Sequence, residues 1–401
     1  MTATSFDTII TDMKAKGLFN EIKTVESEQG AYLTIQGKKY LNLCSNNYLG
    51  LASDSRLKEA AIKAIQEYGV GTASVRALIG TNQLHLELEK KIADFKGAES
   101  AMVVSSGYMA NLAAIQTLLG KEDIVISDEL NHGSIIDGIR VAGVKNKFIY
   151  KHNDVADLRR QIPEIKELLD ELIATGEKRK ALIITDGVFS MDGDLAPLPE
   201  LVVAAKEIGA MIMVDDAHGE GVLGTSGRGI VDHFNLQGQI DIEVGTLSKA
   251  FGVLGGFITG KKSLIDFYRQ KARQSLLSTG LSIPDTAALI AAVDIMQQSD
   301  ELVKKLWVNA EYLRTELKKQ GFDTGVSVTP IVPIMIGEEN RAKEFAKQLY
   351  GYGVMVIAIK FPMVAMGKAR IRLQPSALHT KKDIDFGLEK IQTVGKALQV
   401  I

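Results

Sequence analysis

The chain reads as an α/β protein: a mostly parallel sheet covered by helices, followed by a smaller α+β unit. Two observations predict this. Short apolar segments recur at Ala101–Val104, Ile124–Ile126, Lys147–Tyr150, Leu182–Ile184, Met211–Val214, Ile242–Val244 and Phe257–Thr259. Most are separated by stretches of helical period such as Asn111–Leu119 and Leu198–Ile208, the alternation of a parallel sheet with crossover helices. After Pro284 the texture changes to a long helical stretch, Asp285–Gln320, and then to shorter alternating segments at Ile331–Ile336, Val354–Ile359 and Arg370–Leu373.

Taken in order, residues 1–49 form an N-terminal segment, 50–284 the large domain and 285–401 the small one. The N-terminal segment opens on an amphipathic helical pattern in which Asp7, Asp12 and Lys14 interrupt the apolar residues, so it lacks the unbroken core of a signal peptide. A few dozen residues cannot bury a core alone, so this segment is expected to pack on the small domain or on a second subunit. No apolar run is long enough to span a bilayer. The 401 residues carry 47 Lys+Arg against 49 Asp+Glu, a formal charge of −2, which gives no basic field to attract nucleic acid or an anionic membrane. The single cysteine, Cys44, excludes an internal disulfide and a cysteine metal knuckle. A cytoplasmic location is expected.

The strand ends carry the chemistry. Ser105-Ser106-Gly107, Ser127-Asp128, Thr185-Asp186-Gly187, Asp215-Asp216-Ala217-His218 and Gly245-Thr246-Leu247-Ser248-Lys249 each follow an apolar segment. Ligands of open α/β sheets bind beyond the carboxyl ends of strands, so these turns are expected to share one pocket. A lysine such as Lys249 at a strand end suits Schiff-base formation with an aldehyde cofactor, although a lone lysine is usually a solvated charge. Asp215 can keep a pyridine nitrogen protonated by ion pairing, with His218 three residues on; the plain alternative is a pair of turn-forming aspartates. Ser106, Gly107 and Tyr108 form a small-residue turn at a helix start, which aims free N–H groups at an anion or else simply caps the helix. Thr246 offers a hydroxyl to the same anion. His132, just past Ile124–Ile126, presents a flat ring suited to stacking. Arg370 and Arg372, two apart in a strand, share a face where a planar cation can grip a carboxylate.

Asp215 and Lys249 at two strand ends resemble the pyridoxal phosphate signature of the aminotransferase-like fold (fold type I), which implies a mostly parallel seven-stranded sheet with a smaller α+β C-terminal domain. Six further segments sharpen the likeness: Ser45-Asn46-Asn47-Tyr48-Leu49-Gly50-Leu51, Gly71–Arg76, Asn131–Asp137, Thr185–Gly193, Val214–His218 and Gly245–Ala250. In this order, over nearly the whole chain, they resemble the α-oxoamine synthases, pyridoxal phosphate enzymes that join an amino acid to an acyl-CoA. Within that family Ala73–Arg76, Asp186, Arg370–Arg372 with Ser376–Thr380, and Gly395–Leu398 look like the glycine C-acetyltransferase branch, which condenses glycine with acetyl-CoA in threonine breakdown. Ser248 and Val253-Leu254 instead resemble the 8-amino-7-oxononanoate synthase branch, which takes L-alanine and pimeloyl-CoA in biotin synthesis. Aminotransferase or aldolase chemistry on the same fold stays open as a further alternative.

The resemblance implies roles residue by residue. Lys249 would hold pyridoxal 5′-phosphate as a Schiff base, Asp215 would pair with the ring nitrogen, and His218 and Ser190 would contact the phenolic oxygen. His132 would stack on the ring. Ser106, Gly107, Tyr108 and Thr246 would hold the phosphate together with Ser278 and Thr279 of the partner subunit, so a homodimer with shared sites is expected. Asn46 and Arg372 would bind the amino-acid carboxylate. No metal is expected.

Overall fold

A computed structural model describes residues 5–15, 19, 22–174, 176 and 179–401; the remaining positions, including part of the expected N-terminal segment, lie outside the described residues. The expected amphipathic helix spans Phe6–Ala15 and buries none of its residues.

Thirteen strands are present among the described residues. β1 (Tyr32–Ile35) and β2 (Lys38–Asn42) form an antiparallel hairpin. β3 (Ser100–Val104), β4 (Ile124–Asp128), β5 (Asn146–Tyr150), β6 (Ala181–Asp186), β7 (Met211–Asp215), β8 (Ile242–Thr246) and β9 (Gly256–Gly260) build one seven-stranded sheet in the order β3-β9-β8-β7-β6-β4-β5. All seven coincide with the apolar segments of the sequence. Only β9 runs against its neighbours; the pairs from β8 through β7, β6 and β4 to β5 are parallel.

Because side chains alternate across a strand, each central strand feeds two cores. Ile124, Ile126, Ile183, Ile212 and Val214 face one helical layer, whereas Val125, Leu182, Ile184, Met213 and Val244 face the other. Residues buried on both faces explain why these segments read as continuous apolar runs rather than as alternating ones.

The second part of the chain contains β10 (Val332–Gly337), β11 (Val354–Met355), β12 (Ile357–Ile359) and β13 (Ala369–Leu373). β13 is the centre of an antiparallel sheet, β10-β13-β12, and β11 adds in parallel to the N-terminal β2. The Val354–Ile359 segment is therefore divided between two sheets, and residues 32–43 join the core of the small unit through Leu41 and Leu43. The helical stretch expected over Asp285–Gln320 is two helices, Ile283–Gln298 and Glu301–Lys319. Ser299 is extended and its Oγ accepts the Glu301 N–H, the local side-chain bond that favours a helix start over continuation. The first of these helices packs on the large sheet through Leu289, Val293 and Met296; the second passes from that core at Leu306 to the other at Leu313 and Leu317.

One polar cluster sits inside the large unit. Lys96 Nζ lies 2.5 Å from Glu243, 3.0 Å from Asp216 and 3.5 Å from Glu220, all buried. Burial works against the Lys96 charge, but the three carboxylates outweigh it and push its pKa up. Asp216 also accepts from the Ile230 N–H, and Glu220 Oε2 from the Thr246 N–H, so the cluster ties the turn after β7 to the end of β8.

Candidate active site

The carboxyl ends of the parallel strands converge on a cavity of roughly 240 Å³. Its wall includes Ser106, Gly107, Tyr108, His132, Ser190, Asp215, His218, Thr246 and Lys249. Nine of the residues expected from sequence are thus brought together from five chain segments. Asn46 and Arg372 stand beside the wall, joined to it by the contacts given below. Ser278 and Thr279 lie elsewhere in the same chain, where Thr279 pairs with Val75.

Lys249 follows β8 and is half-buried in the cavity wall. Burial strips its ammonium of water and lowers the pKa from 10.5 to about 8, against the carboxylates of Asp215, Asp186 and Glu220. At pH 7 that leaves roughly a tenth of the side chain as free amine, a few hundredfold more than the ordinary value would, which favours nucleophilic attack.

Asp215 ends β7. Its Oδ1 accepts from the Ala217 N–H at 3.0 Å and its Oδ2 from Asn111 Nδ2 at 2.5 Å. The same amide nitrogen donates to Ser134 Oγ at 2.8 Å, and Ser134 in turn lies 2.7 Å from His132 Nδ1. Since Ser134 Oγ accepts from Asn111, its hydrogen goes to Nδ1, and the Ser134 backbone N–H also points there at 3.3 Å. Burial lowers the His132 pKa, so the ring is neutral with its hydrogen on Nε2.

Ser106 caps the helix Gly107–Leu118 by accepting from the Met109 N–H at 3.2 Å. The N–H groups of Gly107 and Tyr108 have no partner within the helix, and the helix start favours an anion. A Cβ at Gly107 would lie 2.9 Å from Thr246 Cβ, so glycine permits the helix start to close on Thr246. Thr246 Oγ1 is 2.8 Å from Ser248 Oγ.

Two strand ends hold the opposite wall. Arg372 Nη1 donates to the Ser190 carbonyl at 3.1 Å, and Arg370 Nη1 to the Asp192 carboxylate and the Met191 carbonyl. The two arginines therefore share a face and clasp the loop that follows β6. His152 clasps it from the other side, with Nδ1 3.1 Å from Asp128 and Nε2 2.9 Å from Asp194.

Sequence reasoning put Asp186 at a strand end facing the pocket, and Ser134 and Tyr48 in segments of the family likeness, but gave none of them, nor Asn111, a chemical role; the fold places all four in or against the site. Asn111 carried the clearest signal, a single amide in the apolar helix face Ala110–Ile115. Asp186 is paired with Asp215 in register across β6 and β7; burial, then that neighbouring carboxylate, raises its pKa well above the usual range.

These groups fit pyridoxal phosphate. Asn111 Oδ1 and Asp186 Oδ1 are buried on the cavity wall with no protein partner, the helix start suits a phosphate, and Lys249 supplies the amine.

The aminotransferase class I and II family matches residues 38–391. Relatives named 8-amino-7-oxononanoate synthase include those of Thermosipho melanesiensis, 55% identical over 98% of this chain and 97% of the relative, and of Fervidobacterium nodosum, 54% identical over 97% of each. That of Coprothermobacter proteolyticus is 48% identical over the full length of both. Among solved structures, a serine palmitoyltransferase from S. paucimobilis with bound PLP-myriocin aldimine superposes with a TM-score of 0.90 at 32% identity, covering 99% of this chain and 98% of the other. An 8-amino-7-oxononanoate synthase from Francisella tularensis gives 0.74 at 25%, over 90% and 99%. These findings correct one expectation: the relatives bear the name of the alternative branch, and neither glycine C-acetyltransferase nor threonine breakdown has support among them. The fold, the cavity and the relatives agree that this chain belongs to the α-oxoamine synthases, pyridoxal-phosphate-dependent acyltransferases of the aminotransferase class I and II family.

Proposed function

We propose that the protein joins L-alanine to pimeloyl-CoA, releasing CoA and carbon dioxide and leaving 8-amino-7-oxononanoate, a step of biotin synthesis. The observation that carries the chemistry is one amine, Lys249, held in the same cavity as Asp215 and two neutral histidines and depressed to about 8 by loss of hydration. The choice of substrates rests on the names of relatives that align from end to end.

Pyridoxal phosphate supplies an aldehyde to take up an amine and a ring to spread the charge left at a substrate Cα. Asp215 would keep the ring nitrogen protonated by ion pairing. Gly107, Tyr108, Ser106 and Thr246 would hold the phosphate, and His132 would lie against the ring. Its Nε2–H would donate to the thioester oxygen as negative charge develops there, and CoA would leave as the thiol. Lys249 would hold the aldehyde in the resting protein and, as a free amine, would take the Cα proton and later return one. His218 and Ser190 would contact the phenolic oxygen, and Arg372 with Asn46 the carboxylate.

The working unit in this reading is a homodimer in which Ser278 and Thr279 of the partner subunit complete the phosphate site. Supporting it, Leu277 next to them is 67% exposed, and the segment they pair with leaves Leu78 76% and Ile79 89% exposed, a patch unusual for a surface facing water.

The test supplies L-alanine labelled at C1 with pimeloyl-CoA. Labelled carbon dioxide and a product of the mass of 8-amino-7-oxononanoate are expected in equal amounts; a product that keeps the label overturns the decarboxylating reaction.

A further inference from the structure

The histidine expected to meet the phenolic oxygen is itself held from behind. Tyr48, buried in the Ser45–Leu49 segment, places its hydroxyl 2.8 Å from His218 Nδ1. Gln374 Nε2, just past β13, donates to the same hydroxyl oxygen at 2.9 Å and to Asn46 Oδ1 at 2.9 Å. An amide nitrogen has two hydrogens and accepts nothing, so both are committed and the Tyr48 oxygen is an acceptor in this pair. With Asn46 Oδ1 turned toward Gln374, as it stands here, turning the Gln374 amide over would set two acceptors in contact. The Tyr48 hydrogen is left with His218 Nδ1 as its acceptor. Burial, with the charges of Lys249 and Arg372 and the ring of His132 nearby, keeps the His218 imidazole neutral, and burial pushes the Tyr48 phenol up to about 12. A neutral imidazole that accepts at Nδ1 carries its hydrogen on Nε2. The opposite tautomer would strand the Tyr48 hydrogen in a buried place and turn a lone pair, rather than a donor, toward the cavity that His218 lines.

We propose that Tyr48 and Gln374 are positioning residues that fix His218 as an Nε2–H donor toward the cofactor's phenolic oxygen, through the chain Asn46–Gln374–Tyr48–His218. The consequence for the cofactor rests on the reading of His218 given above; the tautomer itself does not. The relay draws on the N-terminal segment, the turn after β7 and the strand end after β13, so it forms only when the two sheet systems are docked.

The test labels histidine with ¹⁵N and records long-range proton–nitrogen correlations on the full chain, with and without pyridoxal phosphate. There are 6 histidines, and the signals of His218 are assigned by their loss in His218→Asn. The expected result is Nε2 protonated and Nδ1 unprotonated in both states. Tyr48→Phe and Gln374→Leu should each shift His218 toward the other tautomer, and Tyr48→Phe should weaken cofactor binding roughly five- to tenfold. A hydrogen on Nδ1 in the unsubstituted protein overturns the proposal whether or not the variants fold, and so do His218 signals unchanged in both variants. The expected tautomer together with unaltered cofactor affinity in Tyr48→Phe overturns the contact to the phenolic oxygen and leaves the relay standing.

Discussion

A lysine that works as a nucleophile must lose its proton near neutral pH, and in this protein burial does that work at Lys249. The depressed value of about 8 has a direct kinetic consequence. The rate at which the cofactor-free protein takes up pyridoxal phosphate should rise with pH around a midpoint near 8, because only the free amine attacks the aldehyde. Stopped-flow absorbance across pH 6.5 to 10 measures it, and a midpoint near the ordinary lysine value of 10.5 would show the amine to be solvated. The gathering of Lys249, Asp215 and His218 in one cavity was legible in the sequence because their types carry chemistry and each stands within three residues of a strand end. Asn111, Tyr48 and Gln374 were not, because an amide or a phenol signals nothing until the fold supplies its partner. Tyr48 and Gln374 are 326 positions apart, and Asn111 and Asp215 are 104 apart.

At the scale of elements, the loop after β6 is the part of the site with least secondary structure of its own. It is held by contacts from outside, with Arg370 and Arg372 on one flank and His152 on the other. Burial disfavours the His152 charge, but hydrogen bonds to Asp128 and Asp194 outweigh it and raise the pKa from 6.5 to about 10. A histidine whose folded-state pKa lies above its unfolded value stabilises fully below pH 6.5 and loses that contribution as pH climbs to about 10. His152→Ala should therefore lower stability by roughly 2 kcal/mol at pH 6 and by distinctly less at pH 10. Denaturant unfolding at both values checks this, and a pH-independent difference would mean that His152 acts by packing on Phe189 alone. The seven strands were legible from their apolar runs. The break at Ser299 and the division of Val354–Ile359 between sheets were not, since each is decided by a local hydrogen bond or a distant strand rather than by hydropathy.

For the whole molecule, the small unit contributes to the site through one strand, β13, and the strand end that follows it, which reach across to the Ser190 loop and to Tyr48. Among the described residues no helix is long and apolar enough to cross a membrane. The exposed patch of Leu78, Ile79 and Leu277 belongs to this scale, because in the proposed homodimer a second copy covers it and Ser278 and Thr279 complete the neighbouring site. Ile79→Asp places a charge at the centre of that patch. It should move the mass in solution from dimer toward monomer and weaken cofactor affinity by about tenfold or more, read by light scattering and cofactor titration. A dimer of unchanged stability would remove the patch from the interface.

If this cavity transfers an acyl group from CoA to an amino acid, the cofactor-loaded protein releases CoA thiol, and that release is the measurement to make. Alanine, glycine and serine are each offered with pimeloyl-, acetyl- and palmitoyl-CoA. Release should be strongest for L-alanine with pimeloyl-CoA and absent in a Lys249→Ala protein. Release confined to glycine with acetyl-CoA would contradict the substrate assignment, and no release from any pair would contradict acyl transfer itself.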